Sequence, residues 1–174
     1  MRIRTVNFGD LDIKPDAVVT FDDGLPGFPQ LRRFVILDME EIKPFQYLQA
    51  LPDDDTPPIA LYLINPFMVE PSYEFRLTDS DMDAIKSMNS TELTIYTVAT
   101  IPADPRDATV NLMAPIVVNE KDRRGRQVIL HDSKYSVRHP LVSNASGGEP
   151  DTESPDLNDE TVNDETVNKQ AEND

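Results

Sequence analysis

A chain without cysteine must draw any chemistry from histidine, carboxylates, hydroxyls or bound groups, and this one offers few clusters of them. His131 stands beside Asp132, with Tyr135 close behind. A general base, an orienting carboxylate and a phenol in that order could serve a hydrolytic or small-molecule-binding β-barrel. No Gly-x-Ser-x-Gly elbow, Gly-rich cofactor loop or P-loop accompanies them, so the enzymatic reading is the alternative one. His131 and His139 are the only histidines and have no ligand at metal spacing. The run Asp53-Asp54-Asp55 lacks the spaced acids, central Gly and distal Glu of a calcium loop and reads as a solvated acidic loop. No metal, cofactor or catalytic residue is expected.

The formal charge is −16, from 16 basic and 32 acidic residues. Residues 142–174 hold ten acids and one Lys, a net −9, which leaves −7 on residues 1–141. An acidic globule repels phosphate backbones, so direct nucleic-acid binding is not expected, and a basic protein partner is favoured instead. The one basic patch, Lys121, Arg123, Arg124 and Arg126, falls on a turn and reads as a solvated hairpin tip. Absence of cysteine fits a reducing compartment, hence the cytoplasm. The N-terminus has no apolar signal core, and no stretch approaches the ~20 apolar residues that span a bilayer.

These groups must be positioned by short strands. Arg2–Phe8 and Ala17–Phe21 read as the first of them, followed by the turn-rich Gly24-Leu25-Pro26-Gly27-Phe28-Pro29. There two glycines can take positive φ and two prolines fix it, so Leu25 and Phe28 are held by a stiff loop. Further strands are expected at 34–37, 45–51, 59–64, 73–77, 93–101 and 126–130. Thr78 and Asp81 resemble a capping box ahead of Met82 and Ile85, which predicts a short helix over residues 79–88 stopped by Asn89-Ser90. The acids Asp79, Asp81 and Asp83 then stabilise its N-terminus.

The run Asn111-Leu112-Met113-Ala114-Pro115-Ile116-Val117-Val118-Asn119 is apolar with asparagine at each end. Pro115 lacks the N–H of a central ladder, so it marks a bulge or an edge. If an edge, a partner strand could cover it. The terminal asparagines suit bonds to nearby backbone. Beyond Leu141 apolar residues nearly vanish, and Asp159–Asn163 is repeated at once as Asp164–Asn168. Residues 142–174 therefore read as a disordered acidic tail, a spacer or solubility segment, after a single domain over residues 1–141.

Several stretches occur together in one order: Gly24-Leu25-Pro26-Gly27-Phe28, Phe45-Gln46-Tyr47-Leu48-Gln49, Ile64-Asn65-Pro66-Phe67, Tyr73, the run Asn111 to Asn119, and Gln127-Val128-Ile129-Leu130 before Tyr135. In this the chain resembles the bacterial flagellar assembly factor family FliW from about residue 1 to Leu141, and the tail lies outside the likeness. Tyr47 stands where the family usually has an apolar or aromatic residue. The resemblance implies an all-β, mainly antiparallel fold, small and barrel-like or a highly twisted pair of sheets, with one short helix. It implies a non-enzymatic protein that binds flagellin and the RNA-binding translational regulator CsrA. By exchanging partners it lifts CsrA repression of flagellin translation, keeps flagellin available for assembly, and is a monomer when free. The family motif positions carried here as partner-binding candidates are Leu25, Phe28, Asn65, Tyr73, Asn111, Pro115, Asn119 and Gln127.

Overall fold

A computed structural model describes residues 1–51, 59–89, 92–131 and 134–141. The Asp53–Asp55 run, Ser90, Asp132 and residues 142–174 lie outside the described residues. Eleven strands and one α-helix follow in chain order: β1 Arg2–Arg4, β2 Asp10–Asp12, β3 Val18–Thr20, β4 Arg33–Leu37, β5 Gln46–Ala50, β6 Ala60–Ile64, α1 Asp79–Ala84, β7 Leu93–Thr100, β8 Thr109–Val110, β9 Ile116–Asn119, β10 Arg124–Gln127 and β11 His139–Pro140.

Among the described residues, β3, β4, β5, β6, β7, β9 and β10 close into a seven-stranded barrel. Closure comes from β7, which pairs β6 through Thr97–Ala99 and β9 through Leu93–Tyr96. All neighbours are antiparallel except β3 and β10, a parallel seam joined at Thr20 and Arg124. The pairs Arg124–Asp22 and Arg126–Asp23 cross the same seam at 2.6 and 3.1 Å. Residues expected to be a solvated basic tip therefore tie the barrel, and Arg123 pairs with Glu120.

Strand alternation sorts side chains between an interior and two outer faces. Phe34, Leu48, Leu63, Ile116 and Val118 fill the barrel with Phe21 and Leu31, all buried. Val35, Leu37 and Tyr47 point outward under the β1–β2 hairpin, which lays Ile3 on them. Gln49, 1% exposed, fixes that hairpin by accepting from the Val6 N–H and donating to the Ala50 and Ile59 carbonyls. On the opposite side Ile64, Ala99 and Val117 are covered by Tyr73, Ile85 and Leu130. Covering both outer faces explains why β4 and β6 read as near-continuous apolar runs.

Other sequence expectations change: the strand expected over Arg2–Phe8 ends at Arg4. Tyr73–Leu77 keeps its alternation of burial but forms no ladder. The alternation records burial on one side and says nothing about backbone pairing. The strand expected at 126–130 begins at Arg124 and ends at Gln127, because Val128 and Leu130 donate to Pro115 and Met113 in an irregular segment. The helix keeps its Thr78–Asp81 capping box but ends at Ala84.

Candidate functional site

The run from Asn111 to Asn119 is half strand and half arch. Val110 pairs Ala99 and Ile116 pairs Tyr96, so Asn111–Pro115 stand opposite only Thr97 and Val98. The excess residues bow out of the ladder, as Pro115 requires. β9 itself pairs β7 on one side and β10 on the other, which removes the edge-strand alternative and a partner strand there.

Each carbonyl of the arch has a donor. Asn111 O accepts from the Thr97 hydroxyl, Leu112 O from the Tyr73 hydroxyl at 2.6 Å and Ala114 O from the Gln127 amide at 3.0 Å. Met113 O and Pro115 O accept from the Leu130 and Val128 N–H groups, both at 2.9 Å. The Asn111 Oδ1 accepts from Ala114 N–H and turns the chain. Burial, with Tyr135 adding to it, pushes the Tyr73 phenol well above its ordinary pKa, so it remains a donor.

At the far end, Asn119 is 4% exposed and saturated. Its Nδ2 donates to the Ile85 carbonyl at 3.0 Å, Lys86 carbonyl at 3.2 Å and Asp122 carboxylate at 3.1 Å, and its Oδ1 accepts from Lys121 and Asp122 N–H groups. It joins the end of α1 to the β9–β10 turn. In the Leu25–Phe28 turn the two residues exchange backbone bonds of 3.3 and 2.8 Å, with φ of 68° at Gly24 and 85° at Gly27. A Cβ on Gly24 would lie 2.7 Å from the Phe28 carbonyl, so no larger residue fits. Leu25 is buried and plugs the barrel, whereas Phe28 is 38% exposed. Asn65 is exposed and caps the turn at Pro66–Met68 through Phe67 N–H.

The structure therefore brings Tyr73, Asn111, Pro115 and Gln127 together around one arch, and sets Asn119, Asn65 and the Leu25–Phe28 turn apart from it. Of the alternative site, Asp132 lies outside the described residues. His131 is exposed and lines a shallow groove with Tyr135, whose hydroxyl accepts from the Glu74 N–H at 2.8 Å.

Beside the arch runs an open groove of about 470 Å³ lined by Phe67, Tyr73, Phe75, Leu77, Met82, Leu93 and Ile95, with Glu74 and Arg76 at its rim. Of these the sequence reading put forward only Tyr73 as a partner-binding candidate. For Leu93 and Ile95 the signal was the apolar odd positions of β7, which the barrel interior does not use.

Residues 2–141 match the family model described as FliW protein. The chain belongs to the FliW family. It is 37% identical over 143 residues to the flagellar assembly factor FliW of Thermoanaerobacter pseudethanolicus, covering 82% of this chain and 93% of that one. It is 35% identical over 149 residues to FliW of Bacillus subtilis, covering 86% and 99%. A crystal structure of the flagellar assembly factor FliW superposes with a TM-score of 0.74 at 35% identity, covering 81% of this chain and 96% of that one. The chain is thus a flagellar assembly factor of the FliW family and not an enzyme. Among the described residues no helix is long and apolar enough to cross a membrane.

Proposed function

We propose that this FliW-family chain is a cytoplasmic regulator that binds flagellin and CsrA in exchange, freeing flagellin translation from CsrA when flagellin has been exported. The observation that carries the reading is the family match over residues 2–141. Charge supports the CsrA half, since residues 1–141 hold a net −7 and an RNA-binding regulator must present cationic surface. Residues 1–141 are the binding domain, a monomer when free, and 142–174 an acidic spacer outside it. Of the motif residues, Phe28 and Asn65 are the exposed contact candidates. Leu25, Tyr73, Asn111, Pro115, Asn119 and Gln127 serve binding by holding the surface in shape.

The test is a titration of the full chain with purified flagellin, with CsrA, and with CsrA bound to its RNA. Saturable complexes with both proteins that weaken as salt rises, and displacement of CsrA by flagellin, are expected. Retention of neither protein at low salt overturns the reading.

A further inference from the structure

β7 carries an unused edge. β6 pairs it only through Thr97–Ala99 and leaves the sheet at Pro66, which enters a 3-10 turn. Between Leu93 and Tyr96, β9 lies on one side and, among the described residues, no strand lies on the other. Backbone groups alternate in direction along a strand. The Val98 carbonyl accepts from Asn111 N–H on the β8–β9 side, so Thr94 and Tyr96 face β9, while the N–H and C=O groups of Leu93 and Ile95 face the open edge.

The apolar groove lies along that edge. Phe67, Phe75, Leu77 and Met82 line it with Leu93 and Ile95, and all five residues of Tyr73–Leu77 contribute to its wall. Free backbone groups beside alternating apolar side chains are the two requirements for adding a strand. The surrounding sequence selects the sign of the incoming chain. From Glu70 to Leu93 there are six acids; Asp81 is paired with Arg126 and Glu74 with Lys134, which leaves Glu70, Asp79, Asp83 and Glu92 against Arg76 and Lys86.

We infer that this slot accepts an extended apolar segment of a protein partner, flanked by lysine or arginine, which adds to β7 beside Leu93–Tyr96. The inference rests on the partner reading proposed above and assigns it a place. The chain's own tail, net −9, carries the same sign as the Glu70–Leu93 stretch and is the wrong occupant.

Amide hydrogen exchange, read residue by residue on the full chain alone and saturated with purified flagellin or CsrA, tests this. The Leu93 and Ile95 amides should slow by about tenfold or more in one complex, while Thr94 and Tyr96, already paired to β9, change little. Ile95→Thr keeps the β-branched strand residue and removes groove apolarity, and should weaken that complex by about tenfold. A complex that forms with unchanged Leu93 and Ile95 exchange overturns the slot and leaves the partner reading standing. Failure of both proteins to bind overturns both. Slow exchange at Leu93 and Ile95 in the free chain also overturns it, by assigning the edge to the tail or, where the slowing depends on protein concentration, to a second copy.

Discussion

The Tyr73 hydroxyl donates to the Leu112 carbonyl at 2.6 Å, joining two buried residues 39 positions apart. That carbonyl belongs to the arch, where no regular ladder can supply a donor. Tyr73→Phe keeps the ring packing against Tyr135 and Phe75 and leaves the carbonyl unpaired. The expected loss is about 1–3 kcal/mol, read as a lower urea midpoint at unchanged slope.

The same phenol gives an alkaline dependence. Burial first, then Tyr135, raise its folded pKa above the ordinary 10.0, so the folded state holds the proton longer than the unfolded chain. Its contribution is complete below about pH 10 and is lost as pH rises through the folded value. Tyr96, pushed up to about 12 by burial and by Glu120 and Asp38, acts with the same sign. Denaturant midpoints measured above pH 10 should fall with pH, less steeply in Tyr73→Phe, with the remaining slope from Tyr96 and from Tyr47, whose phenol is likewise raised by burial and by Tyr62.

Asn119 both donates and accepts, which no aspartate can reproduce. Asn119→Asp faces the Ile85 and Lys86 carbonyls with an acceptor, and its charge lies against the Asp122 carboxylate. A loss of about 2–4 kcal/mol is expected, at least as large as for Asn119→Ala. Equilibrium unfolding of the two variants side by side checks the order.

Gly125 lets the seam close over an aromatic ring. A Cβ there would sit 2.5 Å from two ring carbons of Phe21, which also stacks edge-on against Phe34. Gly125→Ala should cost about 1–3 kcal/mol through overpacking. Phe21→Leu alone also destabilises, but in the double variant the smaller side chain admits the methyl, so the two losses should sum to more than the observed one.

The tail prediction concerns composition alone. A chain ending at Asn144 should unfold at the temperature of the full chain, because residues 145–174 hold too few apolar groups to add to a core. A clear drop in melting temperature would contradict this.

What was legible in the sequence was local. The Thr78–Asp81 capping box and the bulge at Pro115 each depend on neighbours within a few residues, and both stand. The β class followed from the strand-rich pattern, and the barrel from the family likeness alone. Pairing choices were hidden, because β8 and β11 are two residues each and β7 divides its edges among β6, β8 and β9. Tyr73–Leu77 misled because one-sided burial produces the same alternation in a ladder and in a segment outside any ladder. The motif residues signalled importance without its kind: Gln127 and Tyr73 bond backbone, and Asn119 bonds backbone and the Asp122 carboxylate.

The parallel seam has a consequence for how the chain reaches this state. Its paired residues, Thr20 and Arg124, lie at opposite ends of the barrel sequence. Contacts of such long sequence separation carry the largest loop-closure entropy and form late. During synthesis β3 to β7 can meander into place in order, while the outer edge of β3 waits for β10. The nascent barrel thus exposes a transient edge that the finished protein lacks, and the short length of β3, three residues, limits what can pair with it in the interval.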